Sequence, residues 1–220
     1  SKSGSLTSIN DGGMSAKKPA ANAGKTSYDY PDPQWKLGVT VMTPQGPDPI
    51  RRVLTFTTPP LDQDVEVTGP IVLELYISST ATDADFIVKL ADQMPQSSED
   101  KKAGLQPASV NVSKGWMRAS HRQKDEQRST KHRPFYTHNS PQPIAPDEIY
   151  KLDIEVMPCA YVFKAGHRIR LEIANMDSPM TDAIFTHQYL YYKVGTDTIH
   201  HNEKYPSRIH LPLISRRGKK

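Results

Sequence analysis

The sequence predicts an all-β protein, a jelly-roll β-sandwich with long loops, and three observations lead to that class. The 220 residues include 19 prolines and 12 glycines, which interrupt the chain often and leave little room for long helices. Several segments alternate apolar and polar side chains with a period of two, as half-buried strands do. Most connections between them are too short for the crossover helices of a parallel sheet. Two packed sheets would bury the apolar faces against each other.

The two ends of the chain differ in composition from its middle. Residues 1–27 are rich in Ser, Gly, Ala and Lys and suggest an extended lead-in from an upstream domain. Residues 28–215 form the predicted sandwich, which begins with a proline-rich extended loop carrying Trp35. Residues 216–220 form a basic tail.

The period-two segments predict eight or nine strands. The first has Leu54 and Phe56 on one face and stops at Pro59. Gly69 and Pro70 predict a turn between the next two strands. In order, the strands after the first are predicted at residues 65–68, 71–77, 86–90, 110–122, 150–156, 169–173, 189–194 and 209–213.

Two connections are long. Residues 93–105 are polar and of mixed charge, which predicts a loop or a flexible hairpin tip. Residues 123–146 are charged and rich in proline, which predicts a loop that crosses from one sheet to the other, with or without a helical turn. The length of the second loop favours a functional or interface role.

Charge and hydropathy exclude two classes of partner. The net charge of +4 equals the charge of the last basic residues, Arg216, Arg217, Lys219 and Lys220, so the rest of the chain is balanced. No stripe of basic residues suits a nucleic acid, and no apolar run approaches the roughly 20 residues that span a bilayer. We expect a soluble chain with no nucleic-acid or membrane partner, the cytoplasm being favoured and a secreted or periplasmic parent left open. Cys159, the only cysteine, excludes an intrachain disulfide.

The sequence lacks the nucleophile motif of an α/β-type serine hydrolase. Such enzymes carry the serine on a strained G-x-S-x-G elbow, and no such string is present. Ser120 and His121 are adjacent, and neighbouring residues of a strand point to opposite faces, so they are not expected to share a proton. We predict no catalytic residue and no activity from this chain alone.

Histidines and aspartates offer only weak ligand patterns. His200, His201 and His210 match no zinc-binding spacing, although distant ligands can leave no trace in a sequence. Asp83 and Asp85 precede a strand, where they suit either a calcium site or turn capping; no third nearby acid completes an oxygen cage, which favours the structural role. We expect no metal and no cofactor.

Aromatic residues suggest an alternative function. An autonomous carbohydrate-binding module stacks sugars on exposed aromatic rings, and this chain offers several candidates. The same residue types also occupy cores and domain interfaces. The candidates are Trp35, Trp116, Tyr189, Tyr191 and Tyr192.

Six strings, taken in order, resemble one family. They are residues 29–33 (DYPDP), 54–61 (LTFTTPPL), 65–70 (VEVTGP), 83–86 (DADF), 115–122 (GWMRASHR) and 161–171 (YVFKAGHRIRL). Together they resemble the C-terminal domain of X-Pro dipeptidyl-peptidases, cocaine esterase-like (CocE/NonD) acyl hydrolases and α-amino acid ester hydrolases. The resemblance covers nearly the whole chain.

The resemblance implies a galactose-binding-like jelly roll that follows an α/β-hydrolase domain and a helical cap, with the catalytic Ser, Asp and His all upstream. In such enzymes the sandwich stabilises the hydrolase domain and lines part of its substrate pocket. The implied partner is the α/β-hydrolase domain of the same parent chain, and a homo-oligomer is left open. Segment 37–47 resembles the part nearest the active site, which makes Val41 and Met42 candidates for the pocket wall. Candidates for structural or interface roles are Trp35, Asp83, Asp85, Trp116, Arg118, His121 and Arg122.

Overall fold

A computed structural model gives the architecture and describes residues 2–5, 8–31, 40–43, 46–51, 53–103, 105, 107–175 and 190–214. Strands dominate the described residues and helical residues are few, which confirms the all-β class. Trp35 and Tyr189 lie outside the described residues. No helix in the described ranges is long and apolar enough to cross a membrane.

Fourteen strands are observed in the described ranges, with one short α-helix and two 3-10 turns. The helix is α1 (Ser98–Lys102), and the 3-10 turns are Ala119–His121 and Tyr191–Lys193. The strands are β1 (Lys2–Ser5), β2 (Ser8–Gly13), β3 (Lys25–Tyr30), β4 (Thr40–Thr43), β5 (Gly46–Arg51), β6 (Leu54–Thr57), β7 (Val65–Ser79), β8 (Asp85–Gln93), β9 (Ser109–Arg118), β10 (Tyr150–Phe163), β11 (Arg168–Ala174), β12 (Gly195–His200), β13 (Arg208–His210) and β14 (Leu213–Ile214).

Apart from β4 and β5, the strands form one 12-stranded sheet. We describe it as two layers that join where β9 meets β10. The first layer has the order β1-β2-β6-β11-β8-β9, and the second has β10-β7-β12-β3, with β13 and β14 also on β7. The layers connect where Val156 of β10 pairs with Gly115 of β9. A Cβ atom on Gly115 would overlap the carbonyl oxygen of Glu155 and lie 3.1 Å from Val156 Cα, so the junction requires glycine. The β4–β5 hairpin pairs separately.

The core lies between the two layers and includes most of the predicted inward faces, together with residues such as Phe163 and Ile199 that lie outside the predicted strands. Phe86 of β8 and Phe163 of β10 are fully buried among aliphatic residues of both layers. The alternation predicted for residues 150–156 of β10 is confirmed, whereas β8 is buried on both faces: Ile87 and Lys89, which alternate with Phe86 and Val88, are only 6% and 5% exposed. Aliphatic members with 1% or less of their surface exposed are Leu54, Val67, Ile71, Leu73, Leu75, Ile77, Val88, Leu90, Ala119, Leu152, Ile154, Val156, Ile173 and Ile199.

Four sequence predictions are wrong in detail. The strand predicted at residues 110–122 ends at Arg118, and Ala119–His121 forms a 3-10 turn. The strand predicted at residues 209–213 is divided into β13 and β14. The turn predicted at Gly69 and Pro70 is instead part of β7, because Gly69 adopts a φ of 132° opposite an irregularity in β10 and the ladder continues past it. In the described part of the strand predicted at residues 189–194, which is residues 190–194, Tyr191–Lys193 is a 3-10 turn, and the strand, β12, follows at Gly195–His200. There it gains a partner on each side, β3 and β7.

The segments expected to be irregular also contribute structure. Within the expected lead-in, β2 pairs in parallel with β6, and β3 pairs with β12. Segment 93–105 contains α1. Loop 123–146 connects β9 to β10, which are neighbours in one sheet, so the predicted crossing between separate sheets is not seen. Lys124 Nζ anchors the loop by an ion pair with Asp153 of β10 at 2.7 Å.

Candidate interface site

Three of the predicted residues meet at one end of the sandwich, where β8 begins and β9 ends. Asp83, Asp85 and Arg118 lie there with two residues from elsewhere in the chain, Ser120 and Lys193. These five residues are called the corner cluster below. Strand register explains part of it, because Asp85 and Arg118 are cross-strand partners.

Asp85 is the centre of the corner cluster. Arg118 donates from Nε to one carboxylate oxygen at 2.7 Å and from Nη2 to the other at 3.1 Å, which is a bidentate pair. Lys193 Nζ also donates to Asp85. The Lys193 side chain is 1% exposed, and its ammonium lies 5.2 Å from the centre of the Tyr30 ring. Lys193, which lies in the 3-10 turn, therefore contacts Asp85 of β8 in one layer and Tyr30 of β3 in the other.

Burial and pairing act in opposite directions on these charges. Burial opposes ionisation of Asp85, but hydrogen bonds and charges from Arg118 and Lys193 outweigh it and hold the pKa of Asp85 below its ordinary value. Burial also lowers the pKa of Lys193, since Asp85 only partly compensates for lost hydration and Arg118 repels the ammonium. The pKa of Arg118 is raised by its hydrogen bond with Asp85. Asp85 is thus an ionised carboxylate shared by two cations.

Asp83 holds the chain that follows β9. One carboxylate oxygen accepts from Ser120 N at 2.8 Å and the other from Ser120 Oγ at 2.7 Å. The first oxygen also accepts from Ala84 N at 3.0 Å. These bonds occupy the carboxylate that was considered for calcium, and they support the structural interpretation of Asp83.

Ser120 and His121 do not form a catalytic pair. The Ser120 hydroxyl is buried and donates to Asp83, whereas His121 Nδ1 lies 3.2 Å from Nδ1 of His138. Arg122 donates to the carbonyl oxygens of Ala119, at 3.1 Å, and of Gln142, and its guanidinium stacks 4.6 Å from the ring centre of Tyr150. His121 and Arg122 therefore fasten loop 123–146 to the sandwich.

Exposed aromatic and apolar side chains flank Arg118 and Lys193 of the corner cluster along the chain. Trp116 shares a face of β9 with Arg118, and Tyr192 is close enough to Arg118 to contribute to its raised pKa. The rings of Tyr191 and Tyr192 pack edge to face, with centroids 5.7 Å apart. Trp116, Tyr191, Tyr192 and Val194 are called the corner patch, and their exposures are 37%, 79%, 39% and 47%. Trp, Tyr and Arg are the residue types that dominate protein interfaces.

The three histidines considered for zinc have separate partners. His200 Nε2 lies 3.0 Å from Ser78 Oγ, His201 Nε2 lies 2.9 Å from Thr26 Oγ1, and His210 pairs with a glutamate of β7. Burial lowers the pKa of His200 and of His201, so both rings favour the neutral form. Across the described ranges, no group of three or more His, Cys, Asp or Glu residues is placed to hold a metal ion.

Sequence reasoning missed two buried polar groups. His167 Nδ1 lies 2.9 Å from Asp92, which also accepts from the Tyr161 hydroxyl at 2.9 Å. In the described residues no hydroxyl or thiol nucleophile bonds to the His167 ring, so the pair ties β8 to β10 and to the turn before β11. The second group contains Asp197, a buried carboxylate whose pKa burial raises to about 6. An acidic residue in a strand gives no signal of the face on which it lies.

The sequence matches a known family over most of its length. The profile described as "X-Pro dipeptidyl-peptidase C-terminal non-catalytic domain" matches residues 4–210. A putative serine esterase of Mycobacterium bovis is 31% identical over 168 residues, which cover 74% of this chain and 24% of that protein. Cocaine esterase of a Rhodococcus species is 30% identical over 205 residues, covering 86% of this chain and 32% of that protein. The chain thus spans about a quarter to a third of the length of these relatives.

Solved structures share the fold. A CocE/NonD family hydrolase from Staphylococcus aureus aligns with a TM-score of 0.69 at 20% identity, over 92% of this chain and 34% of that one. An α-amino acid ester hydrolase aligns with a TM-score of 0.65 at 20% identity, over 95% and 36%. The resemblance seen in the six strings is confirmed, and the chain belongs to the family of X-Pro dipeptidyl-peptidase C-terminal non-catalytic domains.

Proposed function

We propose that this chain is the non-catalytic C-terminal β-sandwich domain of an α/β-hydrolase, of the X-Pro dipeptidyl-peptidase or acyl-esterase type. In this role it stabilises the hydrolase domain of the same parent chain and lines part of its substrate pocket. The family match over residues 4–210, to a family described as non-catalytic, carries the proposal. The small share of each relative that the chain covers supports it.

The contacts of the candidate catalytic residues agree with a supporting role. The Ser120 hydroxyl is held by Asp83 and is 5% exposed, so it is unsuited to attack a substrate. In a catalytic triad a carboxylate orients the histidine, whereas here the carboxylate of Asp83 accepts hydrogen bonds from Ser120. The buried charges of the corner cluster are paired within the chain, which suits a rigid platform.

The corner patch is the surface we assign to the contact with the hydrolase domain. Its aromatic side chains offer a large apolar area, while the ion pairs behind them hold Arg118 and Lys193 in place. An interface of this kind has aromatic anchors at its centre and charged groups that are already paired.

Val41 and Met42 remain proposed as part of the pocket wall. They lie in β4, where Met42 pairs with Pro47 of β5, and their side chains are outside the described residues. In the full-length parent enzyme we expect Met42→Ala to change KM for an acyl or peptidyl substrate while the melting temperature stays unchanged. An unchanged KM for every substrate tested would contradict a role in the pocket.

The proposed function is tested with two proteins. The chain alone should not turn over acyl esters or Xaa-Pro peptides, and saturable turnover would overturn the proposal. In the parent enzyme, Trp116→Ala and Tyr192→Ala should lower the melting temperature of the hydrolase domain. Leu105→Ala serves as the control, because Leu105 is 57% exposed and lies outside the corner patch. If removing the whole sandwich leaves the stability and activity of the hydrolase domain intact, the supporting role is wrong.

Tyr191 favours a second candidate, an autonomous carbohydrate-binding module. It is 79% exposed, and its ring packs against that of Tyr192. Calorimetry with a panel of glycans should then show binding that Tyr191→Ala removes. Absence of binding to every glycan would leave the interface role as the explanation of the exposed rings.

A further inference from the structure

Two histidine rings meet at the base of loop 123–146. His121 ends the 3-10 turn that follows β9, and His138 lies 17 positions further along the chain. Their Nδ1 atoms are 3.2 Å apart, and their ring centroids are 5.3 Å apart with an angle of 41° between the ring planes. The two rings therefore meet nitrogen to nitrogen, with their planes tilted, and are not stacked face to face.

The backbone on both sides fixes this arrangement. His138 has a φ of 55°, in the left-handed region that residues other than glycine rarely adopt. His121 directly follows Ser120, whose amide and hydroxyl are both bonded to the carboxylate of Asp83. A strained backbone persists only where the surrounding structure holds it, and such positions are frequent at ligand sites. The unusual conformation of His138 therefore suggests that the pair has a ligand.

The spacing of the two nitrogens suits two ligands of one zinc ion. A Zn–N bond is about 2.0–2.1 Å long, so two nitrogens on a tetrahedral ion lie about 3.3–3.4 Å apart. The Nδ1 atoms of His121 and His138 are 3.2 Å apart, close to that separation. The alternative is a direct hydrogen bond between the rings, which would lie at the long end of the usual range of about 2.7–3.2 Å.

The pair lies at the protein surface, where water can complete the coordination of an ion. His138 is exposed and His121 is half-buried. The positive charge of the neighbouring Arg122 is directed elsewhere, since its guanidinium donates to the Gln142 carbonyl oxygen and stacks on the Tyr150 ring. Imidazole nitrogens suit zinc, copper and nickel, whereas magnesium and calcium prefer oxygen ligands. The chemistry of the pair therefore selects a transition metal.

We propose that His121 and His138 bind one divalent transition-metal ion, such as zinc, through their Nδ1 atoms. The protein supplies two ligands, and water supplies the others. An ion bound only in the folded state ties together the two ends of the intervening segment and stabilises the fold by mass action. The separation of 17 positions matches no standard zinc motif, so the sequence alone gives no signal of this site.

Calorimetry with the full chain tests the proposal. After treatment with EDTA and dialysis, the chain should bind zinc at pH 7.5, where an ordinary imidazole is mostly neutral, and should bind no magnesium. His121→Ala and His138→Ala should each lose one equivalent of bound zinc. His132→Ala is the matched control, because His132 is exposed in the same loop, and it should bind as much zinc as the original chain. If the original chain binds no zinc, or if both His121→Ala and His138→Ala bind as much as it does, the proposal is wrong.

Nuclear magnetic resonance of the histidine rings in the original chain identifies the ligating atoms. Adding one equivalent of zinc should shift the Nδ1 signals of His121 and His138 and leave the signals of His132 unchanged. This measurement needs no substitution, so it does not depend on whether the alanine variants fold. Zinc-induced shifts confined to Nε2 atoms or to other histidines would overturn the assignment of the site.

Discussion

Replacing the buried carboxylate of Asp197 with an amide should stabilise the protein at neutral pH. Burial is the main cause of its raised pKa of about 6, compared with an ordinary value of 3.8. The folded state therefore binds this proton more tightly than the unfolded state, so stability falls as the pH rises from about 4 to about 6. The difference between the two pKa values corresponds to about 3 kcal/mol once the carboxylate is ionised. Asn175 Nδ2 donates to Asp197 Oδ2 at 3.1 Å. Asp197→Asn removes the cost of the buried charge and keeps an oxygen that can accept this hydrogen bond.

Urea denaturation of both proteins at pH 3.5 and pH 7.5 measures the effect. The free energies of unfolding should be similar at pH 3.5, and at pH 7.5 the variant should be more stable by up to about 3 kcal/mol. Asp62→Asn makes the same chemical change at an exposed position and is the control for the substitution itself. The reasoning would be refuted if the variant were less stable than the original protein at pH 7.5, or if its free energy of unfolding differed from that of the original protein by the same amount at pH 3.5 and pH 7.5.

Three further changes test the packing. Gly115→Ala should lower the free energy of unfolding in urea by about 1–3 kcal/mol, because its Cβ would overlap the backbone of β10 at the junction of the layers. Gly13→Ala is the control and should not show this loss, because no atom lies within 4 Å of a Cβ at that position. Asp85→Ala should lower the free energy of unfolding by about 3–5 kcal/mol, because Lys193 would stay buried without the carboxylate that pairs with it. Adding Lys193→Met should restore most of this stability in a double-mutant cycle. If stability is not restored, the ion pair is not the cause of the loss. Phe86→Ala should lose about 3–5 kcal/mol by calorimetry, because Phe86 is fully buried between the layers; a loss below 1 kcal/mol would place it outside the core.

The strand faces were predictable because the signal is local. Ile71, Leu73 and Leu75 alternate with residues of the opposite face, and any sheet that buries one of them buries the others. The same rule failed at Gly69 and at residues 189–194, where the local turn signal and the local apolar pattern were each misleading. At Gly69 the partner strand β10 has a matching irregularity, which lets β7 continue.

Part of the candidate site was also predictable. Asp83, Asp85 and Arg118 lie within two of the strings that resemble the family. In the structure Asp85 and Arg118 are cross-strand partners, and Asp83, just before β8, lies 4.0 Å from Arg118 Nε. Their roles were not predictable, since a carboxylate before a strand suits either a calcium site or an ion pair. The structure decides between these by supplying the amide and hydroxyl of Ser120 to Asp83.

The sequence by itself determined the all-β class, the inward faces of most strands and the family, because alternation and motif order are properties of neighbouring residues. Only the tertiary structure decided which polar groups meet. Lys193 reaches Asp85 across 108 positions of sequence, and Asp197 meets Asn175 because two strands place them together. No local pattern encodes these pairs, since burial and partnership of a polar side chain depend on strands that are adjacent only in the folded protein.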